Sequence, residues 1–267
     1  MRFLFAAALV FCVAGPVWPQ QESRQDRGKR VVDEAVQALG GDAFRTLQDR
    51  TESGRVYSFD GGTGRLGAGL SAIVYTQYLK PVPGKYAVRI RQIFGQHQDE
   101  GSFLYTPEGA WDITFRGARP LDEAAFATYR DTGLHGVFYI LRQRLDEPGM
   151  SLYSQGGDIF EHVPVEIVDF TDAGNVTVTV YFDRNTHLPL RQSMRRRNEQ
   201  FHDFDVEVTA FAKYRAVKGV TLPLDTRRER NGQRALEMFL ESEDVNKGLK
   251  DEIFTLPANP KSQTKGK

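Results

Sequence analysis

The sequence predicts a mainly β protein with helices (α+β): a curved antiparallel sheet, or incomplete β-barrel, of about ten strands with helices packed on its concave face. Three observations carry that expectation. Apolar residues recur at alternate positions from Thr51 onward, and one helical stretch, Leu121–Asp146, interrupts them. Turn signatures, Asn231-Gly232 among them, separate the alternating runs at hairpin spacing. No internal repeat or long linker divides the 267 residues, a length that one all-β domain commonly reaches.

Composition narrows the class further. The 35 Lys+Arg balance 35 Asp+Glu, so the electrostatic footprint of a nucleic-acid binder is missing. A chain that is 40% hydrophobic and 11% aromatic is too apolar for intrinsic disorder. The single cysteine, Cys12, excludes an intramolecular disulfide and a cysteine zinc cage.

Arg2, the apolar run Phe3–Gly15 and a Pro-containing polar exit have the layout of a secretory signal peptide, assigned to residues 1–20. The run falls short of the roughly 20 apolar residues that span a bilayer. Cys12 lies inside that run behind bulky Phe11, which argues against lipid attachment there. Removal of the peptide takes Arg2 and Cys12 with it, leaving one net negative charge and no thiol. The expected location is the periplasm. Residues 21–29 read as a flexible lead-in, 30–257 as a single domain and 258–267 as a polar tail.

A short helix opens the domain, with Val31, Val32, Ala35, Val36 and Leu39 at helical spacing and Gly40-Gly41 as its stop. Asp42 is positioned to cap a second turn carrying Phe44 and Leu47. Strands are expected over 51–60, 70–79, 85–94, 102–105 and 110–115, with a glycine-rich connection at Gly61–Gly69. Pro120 opens the helix Leu121–Arg130, and Asp131 or Thr132 caps the helix Gly133–Asp146. After Gly156-Gly157 the strands resume over 161–170, 175–183, 188–197, 201–215, 220–230 and 235–245.

No motif demands catalysis. Gly62-Thr63-Gly64-Arg65-Leu66-Gly67 spells a dinucleotide fingerprint, but a strand-like run follows it, so no helix N-terminus faces a phosphate. The five histidines are scattered, and in His202–Glu207 the histidine and the carboxylates Asp203, Asp205 and Glu207 fall on opposite strand faces. No nucleophile elbow, zincin motif or Walker loop occurs. No catalytic residue, metal or cofactor is therefore assigned. Arg191, Arg195, Arg196 and Arg197, with Arg227, Arg228 and Arg230, form basic strand ends. They could contact lipid phosphate or an acidic partner, or protect exposed sheet edges from pairing.

So broad a sheet must cover its concave side. In the helical segment Leu134, Val137, Phe138 and Leu141 share one stripe, and Val137–Leu141 is apolar throughout. These four, with Tyr75, Tyr86 and Phe182 opposite, are the candidate lining of an apolar cavity.

The run Val178-Thr179-Val180-Tyr181-Phe182-Asp183-Arg184-Asn185-Thr186-His187-Leu188-Pro189-Leu190 resembles the outer-membrane lipoprotein-sorting (LolA/LolB-like) superfamily. Lys218-Gly219-Val220-Thr221-Leu222-Pro223 and the closing Asp251-Glu252-Ile253-Phe254-Thr255-Leu256-Pro257 extend the likeness, as does Ala38-Leu39-Gly40-Gly41 after a signal peptide. The resemblance implies an incomplete barrel plugged by helices, holding acyl chains in its hollow, without catalytic residues. The leading expectation is a non-enzymatic, monomeric periplasmic carrier or sensor for a lipid, acyl chain or lipoprotein, with a membrane-surface or envelope protein as further partner. A scaffold with a filled core, and a hydrolase or metal enzyme, are the alternatives.

Overall fold

The computed structural model describes residues 22–59, 69–95, 101–198 and 202–257. Residues 1–20, expected as a signal peptide, most of Gly61–Gly69 and the expected tail 258–267 lie outside the described residues.

One antiparallel sheet of 13 strands dominates the molecule. Its strands are β1 (Asp49–Ser58), β2 (Leu70–Tyr78), β3 (Val88–Phe94), β4 (Ser102–Thr106), β5 (Gly109–Thr114), β6 (Gly117–Pro120), β7 (Ser151–Phe160), β8 (Val163–Thr171), β9 (Thr177–Asp183), β10 (Pro189–Asn198), β11 (Asp203–Val217), β12 (Val220–Arg230) and β13 (Gln233–Val245). They run in the order β6-β5-β4-β3-β2-β1-β13-β12-β11-β10-β9-β8-β7. Every neighbour but one is a consecutive hairpin partner; the exception pairs β1 with β13. The edges β6 and β7 do not pair with each other, so the curved sheet stays unclosed. Asn231 and Gly232 both take positive φ (52° and 74°), the geometry a type I′ turn needs between β12 and β13.

The helices are α1 (Arg24–Ala38), α2 (Asp42–Arg45), α3 (Glu123–Leu134) and α4 (Val137–Tyr139), which runs on into a π-helical turn, Ile140–Arg144. Residues 24–29, expected as a flexible lead-in, are helical instead. Ser23 caps α1 by accepting from the Asp26 amide at 3.0 Å, and Arg27 grips Glu166 of β8 at 2.7 Å. Gly28 lies so close to the Leu152–Ser154 backbone that a Cβ there would stand 3.1 Å from the Ser154 nitrogen.

Two capping expectations also fail. Asp42 is the first residue of α2 and caps nothing. Asp131 and Thr132 lie inside α3, which Asp122 caps through the Ala124 and Ala125 amides at 2.9 and 3.0 Å. Both Asp131 and Thr132 instead meet Arg196 of β10.

Three apolar clusters hold the layers together. The largest joins α1, α2, α4 and the π-turn to the concave face of β8–β13. A second sets Tyr139 and Leu134 against Val88 and Ile90. The third lies on the convex face, where Phe254 of a 3-10 turn (Asp251–Phe254) covers Leu104 and Ile113.

Candidate functional site

The concave face divides into a packed wing and a trough. Over β8–β12, α1 and the π-turn form a plug. Val31, Val32, Ala35 and Leu39 share the buried stripe of α1, meeting Val168, Val180 and Phe182 of the sheet. Three of the expected lining residues sit here: Val137 and Leu141 at 0% exposure and Phe182 at 1%. Phe138 is half-buried at the margin, its ring edge-on to Phe211 at 4.9 Å.

Beside the plug lies an aromatic layer containing Leu134 and Tyr86. Tyr86 meets Tyr139 edge-on at 4.8 Å, and Tyr105 of β4 stacks on Tyr129 of α3 at 3.6 Å. The Tyr139 hydroxyl donates to the Lys85 carbonyl at 2.7 Å and accepts from the Ala87 amide at 2.8 Å, which ties α4 to the chain entering β3. Tyr75 does not join its fellow candidates. It packs on the convex face with Trp111 and Phe254, while Val74 and Tyr78 of the same strand face inward. Positions of opposite parity on one strand point to opposite faces, so Tyr75 and Tyr78 could not both line the hollow.

A charged layer crosses the concave face between wing and trough. Arg50 of β1 bridges Glu52 at 2.9 Å and Glu243 of β13 at 2.6 Å, all three side chains deeply buried. Burial pushes the Glu52 carboxyl above the ordinary carboxylate range despite Arg50, and pushes the Tyr78 phenol up as well. Arg142 of the π-turn lies over the Tyr78 ring at 4.1 Å. Sequence patterning missed this layer because Arg50 and Glu52 look like any solvent-facing alternation.

Above it the sheet is only half covered. Val56, Val74, Phe94, Phe103 and Met238 point inward from β1, β2, β3, β4 and β13, as their registry shows, yet each remains partly exposed. Leu70, on the same face, is 50% exposed. α3 flanks this floor through Tyr129, which makes the trough an apolar surface with a helix along one side.

His135, at the joint between α3 and α4, is the buried histidine flanked by carboxylates that an enzyme reading would seek. Its Nε2 lies 3.0 Å from Asp172 and its Nδ1 3.2 Å from Asp131. Asp172 also accepts from Arg144 at 3.0 Å and from the Gly174 and Val176 amides. His135 Nε2 and Arg144 thus share one Asp172 oxygen and clasp the plug to the β8–β9 turn, while the other Asp172 oxygen shapes that turn and Nδ1 ties the ring back to Asp131 of α3. Burial disfavours the charged ring, but the Asp131 and Asp172 hydrogen bonds outweigh it and hold the His135 pKa above 6.5. Among the described residues no group of three His, Cys, Asp or Glu side chains could hold a metal ion.

The basic strand ends sort by face. Arg191 lies over Phe160 and Tyr181 and Arg195 over Phe204, away from the plug, while Arg196 turns inward to Asp131 and Glu207. β10 is an interior strand, so edge protection does not account for them. Two outer clefts, of about 570 and 390 Å³, lie along the outer flank of α1 and are lined mostly by charged groups such as Arg30 and Glu34.

An unclosed antiparallel sheet whose concave face receives a helical plug defines the class of protein: the fold is of the LolA/LolB type. Solved structures that share it include the following three. A DUF1329 family protein from Desulfovibrio piger superposes with a TM-score of 0.58 at 18% identity, over 87% of this chain and 98% of that one. A proposed outer membrane lipoprotein-sorting protein domain from Vibrio parahaemolyticus gives 0.57 at 12% identity, over 85% and 97%. A LolA superfamily protein from Nitrosomonas europaea gives 0.53 at 10% identity, again over 85% and 97%. No protein-family model and no curated protein sequence matches the chain. Among the described residues no helix is long and apolar enough to cross a membrane.

Proposed function

We propose that this chain is an exported, monomeric, non-enzymatic carrier or sensor of the periplasm that lays a lipid or lipoprotein acyl chain along the trough. The supporting observation is the half-covered apolar floor formed by Val56, Val74, Phe94, Phe103 and Met238 beside α3. Buried packing would have sealed these side chains had the sheet needed only a core, since protein interiors are close-packed. The N-terminal layout of Arg2 and the apolar run Phe3–Gly15 supports export, with loss of residues 1–20, and one structural neighbour is described as an outer membrane lipoprotein-sorting domain.

Leu134, Tyr86 and Phe138 are half-buried and are the candidate lining residues that an acyl chain would meet first. Val137, Leu141 and Phe182 become contacts only if the plug moves. Envelope proteins or the membrane surface would deliver or accept the cargo.

The test is native mass spectrometry with lipid extraction on protein purified after export, together with uptake of a fluorescent fatty acid. Co-purified lipid, and uptake weakened by Met238→Arg, is the expected result. Absence of both lipid and uptake overturns the reading. One observation favours a second reading, a scaffold without cargo: Val137, Leu141 and Phe182 already fill the wing. That outcome predicts a Met238→Arg protein indistinguishable from wild type in every lipid assay.

A further inference from the structure

We propose that the trough selects an anionic amphiphile and that Arg228 of β12 engages its acidic head. This deepens the acyl-chain reading above and rests on it.

Arg228 faces the concave side. It pairs across the sheet with Thr209 of β11, which shares the face of buried Phe211, and with Leu236 of β13. Met238, on the trough floor, follows two positions along the same face of β13. Its charge acts on the buried phenols of Tyr86 and Tyr129, which burial raises and Arg228 pulls back. The guanidinium therefore addresses the space between floor and helix.

Among the arginines that β1, β10 and β12 turn to this face, Arg228 is set apart by its lack of a counter-ion. The other arginines that β1, β10 and β12 present to this face are all neutralised. Arg50 is held by Glu52 and Glu243, Arg196 by Asp131 and Glu207, and Arg230 by Asp205. Arg228 has no carboxylate at ion-pair distance among the described residues, and it remains exposed. The remaining acid whose field reaches the same phenols, Glu52, is already bound to Arg50. An unpaired guanidinium at the rim of an apolar floor suits one ligand chemistry: an acyl chain ending in a carboxylate or phosphate. The planar fork of donors matches either group in two-point fashion.

Displacement of Nile red, a neutral dye, by palmitate, methyl palmitate and palmitoyl lysophosphatidic acid separates the terms. The wild-type protein should bind at least one acidic ligand about tenfold more tightly than the ester, the scale of one charge-assisted hydrogen-bonded contact. A preference for palmitate identifies a fatty acid head, and one for the lysophospholipid a phosphate head. Arg228→Gln should bring the acidic ligand down to the ester's affinity, with ester binding and thermal unfolding unchanged, and Arg228→Lys should retain part of the preference. Equal binding of acid and ester by the wild type, or undiminished acid binding by Arg228→Gln, overturns the role of Arg228 and leaves the acyl-chain reading standing. Failure of all three ligands and of the dye overturns both.

Discussion

The packed wing and the trough are built from the same material and end differently. In both, alternate strand residues turn apolar side chains toward the concave side. Over the wing, α1 and the π-turn meet Val168, Val180 and Phe182 and exclude solvent from them. Over the trough, α3 covers Tyr105 through Tyr129 and leaves Val56, Val74 and Met238 partly open. Alternation therefore specifies which face is inward, while the covering helix decides whether that face becomes core or contact surface. The charged layer of Arg50, Glu52 and Glu243 marks the border.

That border offers the sharpest way to break the comparison. Arg50→Ala would leave Glu52 and Glu243 side by side, buried and uncompensated, at a cost of about 3–5 kcal/mol in denaturant unfolding. A loss below about 1 kcal/mol would mean that solvent reaches the triad, as it does for exposed pairs, and that the trough extends beneath the plug. Leu141→Ala comes next. Its side chain is fully enclosed in the wing, so truncation should cost about 2–5 kcal/mol in the same assay. A small loss there would show that the plug is loosely seated.

The clasp at His135 sharpens the comparison through pH. A histidine whose folded pKa is raised contributes stability that is fully present below the unfolded value, 6.5, and disappears as pH rises through the folded one. Asp131 and Asp172 are lowered in the folded protein, Asp131 chiefly by its His135 hydrogen bond and Asp172 by Arg144 and His135 against burial. Their contribution is lost instead as pH falls through their folded values. Thermal unfolding followed from mildly acidic to mildly alkaline pH should thus show stability declining above 6.5, and His135→Gln should flatten that decline. An unchanged slope in the variant would assign the clasp to Arg144 and Asp172 alone.

Much of this architecture was legible. Period-two runs located the strands from β1 to β5 and from β8 to β13, Gly40-Gly41 stopped α1, and the LolA/LolB likeness anticipated the plugged half-barrel. What escaped did so for physical reasons. β7 carries Gly156 at φ 104°, where its pairing with β8 shifts register, so a glycine pair read as a break is a bulge inside a strand. β6 is a four-residue edge with no room for a pattern. The first turns of α1 are polar because their contacts are Arg27 with Glu166 and the bare backbone of Gly28, neither of which leaves an apolar period. The single helix expected over 133–146 is broken at His135-Gly136, so Leu134 closes α3 in the aromatic layer while Val137 and Phe138 lie in α4 and Leu141 in the π-turn, and helical spacing cannot distinguish a core stripe from a ligand-facing one. Tyr75 falls on the convex face because aromatic composition carries no strand parity. The trough was hidden because its defining property, incomplete cover, belongs to the distance between elements.

The smallest expected effect on stability tests the distinction most directly. Met238 stands on the trough floor opposite Val56, partly exposed, and its truncation removes contacts that are already incomplete. Met238→Ala should therefore cost less than about 1.5 kcal/mol, below the 2–5 kcal/mol typical of enclosed Leu or Met side chains. The same substitution should measurably weaken displacement of Nile red by palmitate, because the methylenes it withdraws are those an acyl chain would cover, at about 0.8 kcal/mol for each buried methylene lost. Leu141→Ala should show the reverse pairing, a large loss of stability and little direct effect on dye displacement in the protein that remains folded. Were Met238→Ala to unfold the protein as readily as Leu141→Ala, the trough would be core like the wing, and the two halves of the concave face would differ in degree of packing alone.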